Sequence, residues 1–209
     1  MKAINLKCEY LINPMGIDIQ NPRLMWNCDG GITQTAYRIV AKSDEKIVWD
    51  SGKVRSSSMS AEYPHKLKSR ERVEWTVILW DENDNEGEHS ETAYFETGLL
   101  SASDFTAKWI SGNYRVNKKD RYPVDCFKKQ FNAQNIVKAR LYITACGLYE
   151  AAINGQRVGD FVLAPGHTDY TKRIQLQTYD VTELLATAKT KLRSNLPTVG
   201  IAEVAARGG

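Results

Sequence analysis

Acidic side chains are the first place to look for chemistry in this sequence. Asp160, Asp169, Asp180 and Glu150 lie in its second half. Two carboxylates roughly 5–10 Å apart, one acid and one base, are the apparatus of glycoside hydrolysis. Nothing in the spacing of these four singles out a pair, so no catalytic residue is assigned. The run Asp81-Glu82-Asn83-Asp84-Asn85-Glu86-Gly87 superficially matches a calcium loop, with Asp81, Asn83 and Asn85 at the first ligand positions. Glu86 then stands where the loop needs glycine, and Thr92 where it needs a bidentate glutamate. A solvated turn is the reading that survives. His65, His89 and His167 stand apart, and no serine or cysteine sits in a nucleophile elbow. His167 belongs to the polar stretch from Pro165 to Arg173, where Asp and Thr side chains fix a turn. Polar contact with a partner domain is its sharper alternative. The four cysteines, Cys8, Cys28, Cys126 and Cys146, form no C-x-x-C pair and have no zinc spacing with histidine. They read as mostly buried thiols. No metal, cofactor or phosphate-binding glycine loop is expected.

Composition sets the bounds for the elements that would position such groups. The 209 residues suffice for two modest domains, and 42% hydrophobic with 25% charged residues is ordinary for a globular chain. The net charge of +3 divides into −4 over residues 1–98 and +7 over 99–209. The basic residues of the second half are scattered rather than blocked, which argues against a nucleic-acid partner. No run of 18 apolar residues exists to span a membrane. The first ten residues lack the apolar centre of a secretory signal, so a cytoplasmic location is expected if Met1 is the start.

Short alternating runs rich in aromatic and β-branched residues, punctuated by Gly, Pro, Asn and Asp, predict strands and turns. In the first half these are Arg23–Asn27, Tyr37–Ala41, Lys46–Asp50, Arg72–Trp80 and Thr92–Glu96. Their spacing, with no amphipathic helix between them, predicts a β-sandwich of immunoglobulin or fibronectin type III kind. Trp26 and Trp75 are expected in its core; Trp49 and Trp80 are better placed for an interface with another domain. Gly98 to Trp109 reads as a connector packed against both domains. Ser111 to Asp125, with Arg115, Lys118, Lys119 and Arg121, reads as a surface loop. Strands resume at Phe127–Phe131, Lys138–Ala145 and Leu148–Ile153, followed by the hairpin signal Asn154-Gly155. Further strand-like runs are Phe161–Gly166 and Ile174–Asp180, with a capped helical turn from Asp180 to Leu185.

Particular strings carry a resemblance. Cys8-Glu9-Tyr10-Leu11-Ile12-Asn13-Pro14-Met15-Gly16-Ile17-Asp18, Pro22-Arg23-Leu24-Met25-Trp26 and Gln34-Thr35-Ala36-Tyr37-Arg38-Ile39 resemble the opening of bacterial α-L-rhamnosidases. Trp49-Asp50-Ser51-Gly52-Lys53-Val54, Trp80-Asp81-Glu82-Asn83 and Phe95-Glu96-Thr97-Gly98-Leu99-Leu100 continue it, as do Ala139–Ile143, Gly147–Glu150, Ile153–Gly159 and Gln177–Thr182. The likeness runs in family order over about residues 5–189. It implies an all-β architecture: a fibronectin-like sandwich over 1–98, a packed connector and loop over 99–125, and a partial jelly-roll-like sandwich over 126–188. It also implies that catalysis, the inverting release of terminal α-L-rhamnose by two glutamates, belongs to an (α/α)₆ barrel that comes later in family members. No residue here matches that barrel. The expected role is therefore a non-catalytic scaffold whose partner is the missing barrel. The alternative is a module binding rhamnose-containing glycans, for which Trp109, Tyr114, Tyr149 and Tyr170 are the candidate platform.

Residues 189–209 depart from the family pattern, which expects a strand and then a glycine-tryptophan-rich turn. Losing later strands should leave Leu141, Ile143 and Leu176 poorly covered and strand edges unpaired, favouring a homodimer. Leu192, Leu196, Val199 and Ile201 are the sizeable apolar residues of the replacement. Codons that encode Lys189 to Glu203 can be chosen so that, one base out of phase, they spell K-N-E-I-A-V-Q-L-A-D-G-W-Y-R-G. This is the expected family strand, so a one-base frameshift near Lys189 is the hypothesis. Sequencing the encoding DNA should recover that peptide in another frame; bases that cannot be read so would dispose of it.

Overall fold

Alternation of large apolar residues is what drives the first unit, Met1–Asp104, into two facing sheets. In this computed structural model, residues 1–114, 117, 119, 123–185, 189–196 and 199–208 are described, the last two spans by backbone alone. Nine strands make up the first unit: β1 (Lys2–Cys8), β2 (Met15–Ile17), β3 (Arg23–Asp29), β4 (Ala36–Ser43), β5 (Lys46–Asp50), β6 (Val54–Arg55), β7 (Ser60–Glu62), β8 (Arg72–Trp80) and β9 (Ala93–Thr97). One sheet has the order β1-β3-β7; the other runs β2-β9-β8-β4-β5, with β6 also beside β4. Only the short β2–β9 pair among these ladders is parallel.

The predicted strands of this half coincide with β3, β4, β5, β8 and β9. On β8, Val73, Trp75, Val77 and Leu79 are buried, and Trp26 and Leu24 meet them from β3 across the core. Tyr37 packs its edge on Trp26 at 5.1 Å, and Tyr63 lies between Trp49 and Phe95 at 5.7 and 5.6 Å. Two tryptophans depart from expectation. Trp49 packs against the core through Tyr63, and Trp80 is buried with Ala36 and Ile78 while Lys53 covers its ring at 4.6 Å. Their indoles are occupied within the unit because neighbouring strands supply apolar and cationic cover.

A buried polar hub ties the two sheets. Gln34 accepts from the Trp26 indole N–H at 2.9 Å and from Cys28 Sγ at 3.3 Å, and its amide donates to the carbonyls of Ser56 and Ser58. Every donor and the acceptor of this amide are thereby used, which is what lets it be buried. The Gly98–Asp104 segment is held to the same unit. Arg70 donates to the Asp104 carbonyl, Ser69 bonds the Asp104 carboxylate and accepts from Leu100 N–H, and Thr97 bonds the backbone of Lys68 and Glu71.

The second unit, Phe105–Gly209, comprises β10 (Ile110–Ser111), β11 (Asp125–Asn132), β12 (Ile136–Cys146), β13 (Glu150–Ile153), β14 (Gln156–Arg157), β15 (Gln177–Asp180), β16 (Lys189–Leu196) and β17 (Val199–Gly208). Two four-stranded sheets have the orders β10-β17-β12-β15 and β11-β16-β13-β14. Asn154 and Gly155, at φ 52° and 86°, make the β13–β14 turn in the left-handed region where Asn-Gly is favoured. Asp180 accepts the backbone N–H of Thr182 at 3.0 Å ahead of a short 3₁₀ turn, Glu183–Leu185.

The chain's last strands correct the expectation of an uncovered sheet. β17 pairs along β12 from Ile136↔Gly208 to Cys146↔Val199, and β16 lies between β11 and β13. Leu141 and Ile143 are consequently fully buried; Leu176 alone of the three stays exposed. The strand-like run Phe161–Gly166 is also corrected, since it forms turns rather than a strand. Of the loop cations, Arg115, Lys118 and Arg121 lie outside the described residues, as do the side chains of Leu192, Leu196, Val199 and Ile201. Among the described residues no helix is long and apolar enough to cross a membrane. Replacing Gln34 with Leu, which strands the Trp26 N–H and two carbonyls, should lower stability by about 1–3 kcal/mol in urea unfolding.

Candidate functional site

The four acids of the second half meet different fates. Glu150 is exposed on β13, and Asp180 ends β15 in the opposite sheet. Asp160 is exposed in the turn after β14. Asp169 accepts the Thr171 hydroxyl at 2.6 Å and its N–H at 3.1 Å, with Lys172 Nζ at 3.6 Å. Those Thr171 bonds hold its carboxyl below the usual range. Thr168 closes the same loop on the Arg173 carbonyl, and His167 rests against Tyr170 at 5.6 Å, so Asp and Thr side chains do fix this turn.

Asp180 is the acid with the most structural work. Burial raises its carboxyl, but the Thr182 hydroxyl at 2.6 Å, the Thr182 N–H and Arg140 Nη1 at 2.8 Å outweigh that, and the net pKa is lowered. Thr182 in turn accepts the Ala139 N–H at 2.9 Å, so the carboxylate, hydroxyl and β12 backbone form one chain of bonds. A general acid needs a pKa raised toward neutrality. Asp169 and Asp180 are shifted the other way, as anchors are.

The candidate aromatic platform is only partly realised. Trp109 and Tyr114 are exposed. The Tyr114 ring lies over Gly112, where a Cβ would come within 2.2 Å of it, and its hydroxyl donates to Asp125 at 3.1 Å. Tyr170 is half-buried. Tyr149 is a correction: it is buried, with its backbone N–H bonded to the Ala164 carbonyl at 2.7 Å. Its hydroxyl meets those of Tyr179 at 3.2 Å and the Gln177 side chain at 3.4 Å, and burial pushes its phenol far up, Tyr179 adding to the effect. A ring so enclosed packs against the core and presents no face to a sugar.

Sequence reasoning passed over Arg140, Tyr179 and Gln177. The signal for Arg140 is in β12 itself. Ala139, Leu141, Ile143 and Ala145 join the core, while the alternate residues Arg140, Tyr142 and Thr144 are buried as well. A strand buried on both faces tolerates an arginine only with a bonded partner. Thr144 bonds the Gln175 carbonyl, which brings the 165–176 segment to that outer face.

Elsewhere, Asp81 Oδ1 accepts the backbone N–H groups of Asn83 and Asn85 at 2.9 Å, and Oδ2 the Asn85 amide, so this acid fixes its own turn. Among the described residues no three His, Cys, Asp or Glu side chains are grouped to hold a metal. Of the thiols, Cys8 is buried and pushed up to about 12 by desolvation, with Glu9 adding. Cys28 and Cys146 are half-buried and Cys126 is exposed, fewer buried than expected, because Cys126 sits on an edge strand.

Two family models match. Residues 3–101 match the Rha78A-like N-terminal immunoglobulin domain, and residues 134–198 match the alpha-L-rhamnosidase N-terminal domain, a match that extends into β16. An alpha-L-rhamnosidase of Formosa agariphila is 38% identical over 93% of this chain, which spans only 22% of that relative. The solved alpha-L-rhamnosidase from Dictyoglumus thermophilum superposes with a TM-score of 0.86 at 32% identity, over 98% of this chain and 27% of that one. The Aspergillus terreus enzyme gives 0.88 at 28% identity, over 100% and 27%. The chain thus spans about a quarter of the length of these relatives.

Asp180→Asn should destabilise the second unit by about 1–2 kcal/mol at pH 7, a modest loss because Asp180 is half-exposed and screened. The depressed pKa means that its contribution is present above the unfolded value near 4 and disappears as pH falls through the folded one. Wild type and variant should therefore converge in thermal melts as the pH falls from the unfolded value through the lower folded one.

Proposed function

Because the chain belongs to the α-L-rhamnosidase family, as its N-terminal immunoglobulin-like and N-terminal domains, we propose that its two sandwiches are a non-catalytic scaffold. The partner they brace is the catalytic (α/α)₆ barrel of a parent enzyme that hydrolyses terminal α-L-rhamnosides. One observation carries the reading. Asp169 and Asp180 are committed to Thr171, Thr182 and Arg140 and are held ionised, while Glu150 and Asp180 stand in opposite sheets. These are the bonds of a framework, and neither Asp169 nor Asp180 is raised toward neutrality as a glycosidase's general acid is.

A carbohydrate-binding role is the second reading, favoured by the exposed rings of Trp109 and Tyr114, the latter pinned by Asp125. A fixed aromatic face costs little entropy on stacking a sugar. Calorimetric titration of the chain with L-rhamnose separates the two. The scaffold reading expects no heat of binding at millimolar sugar and no nitrophenol from an aryl α-L-rhamnoside. Saturable heat would favour the binding module, and released nitrophenol would overturn both.

A further inference from the structure

The apolar run Phe161-Val162-Leu163 has the composition of a buried strand, yet the fold leaves it in a turn with its residues 52, 63 and 64% exposed. The turn is held, not loose. Arg157 donates to the Phe161 carbonyl, Gly166 N–H to the Leu163 carbonyl, and Tyr149 N–H to the Ala164 carbonyl. Leu163 itself is left-handed at φ 60°, a conformation that leucine disfavours. The Tyr149–Ala164 bridge brings Leu148, 38% exposed, beside the same turn. Together these residues expose roughly 400 Å², the size of the largest apolar patch on a typical monomer, which is often a functional one.

We propose that this turn is a docking knob for the polypeptide that follows these two domains in the parent enzyme, which presents an apolar socket to it. Two facts select that occupant. The patch is about half the area that one side of a stable complex between free partners buries. A second copy of the chain is therefore a poor candidate, whereas a tethered partner, at millimolar effective concentration, needs far less area. The relatives supply such a tethered partner, since the chain matches 22% of the Formosa enzyme and leaves the remaining 78% to provide it. The proposal rests on the scaffold reading and names the surface through which the scaffold acts.

The test substitutes Phe161→Ser, Val162→Ser and Leu163→Asn together, asparagine being tolerant of the left-handed position. The triple variant is made in the 209-residue chain. Residues 159–166, native and triple-substituted, are also grafted into the full-length Formosa enzyme. The chain itself should keep its melting temperature and its monomeric mass in light scattering. The native graft should melt as the parent does, and the polar graft should melt earlier and be cut by trypsin between the matched segment and the remainder about tenfold faster. Equal behaviour of the two grafts, or a native graft that is itself loosened, overturns the proposal. So does a destabilised chain, in which the turn serves its own unit, or a dimer that the variant dissolves, in which the occupant is a second copy. The scaffold reading falls separately, on sugar binding or nitrophenol release by the unmodified chain.

Discussion

Strand β12 imposes the constraint on which the second unit depends. Buried on both faces from Ala139 to Ala145, it has no water to satisfy its backbone N–H and C=O groups. Both edges must therefore be paired, and the partners are β15 over Arg140–Ile143 and β17 along nearly the whole strand. β16 plays the corresponding part between β11 and β13. The chain's last two strands are interior members of the two sheets, so the unit is not closed until they are in place. Main-chain ladders make no demand on side-chain identity, so pairing alone sets the places of these two strands.

The first unit is organised differently. Its core is built of large rings, Trp26, Trp75, Tyr63 and Phe95, drawn from both sheets, and Gln34 fixes the approach of β3 to the 56–58 loop by four hydrogen bonds. The grip of Ser69, Arg70 and Thr97 on the segment through Asp104 then fixes how the chain leaves this unit. The scaffold role proposed above would call for such definition, because a brace with a loose exit transmits no geometry. In the second unit the same purpose is served by the run from Ala139 N–H through Thr182 and Asp180 to Arg140, which binds strand, turn and sheet edge together.

The proposed site was legible to an uneven degree. That the turns at Asp81 and Asp169 are self-bonded follows from residue type, since Asp side chains accept the N–H groups two or more residues on. That Trp80 and Tyr149 are enclosed does not, because enclosure depends on which residues from distant strands arrive over them: Lys53 for Trp80, Tyr179 and Gln177 for Tyr149. Arg140 was likewise invisible as an anchor, its partner lying forty residues away on another strand.

Sequence alone determined the all-β class, the strands of the first unit and the Asn154-Gly155 hairpin, because alternation and turn chemistry are local. It also carried the kinship with α-L-rhamnosidases, through strings that match in family order. Tertiary structure decided that β16 and β17 complete both sheets and that Phe161–Leu163 is bare instead of buried. It also decided that Asp180 is an anchor, through Arg140 on another strand. These outcomes depend on long-range pairing and on what covers each face, which local periodicity does not encode.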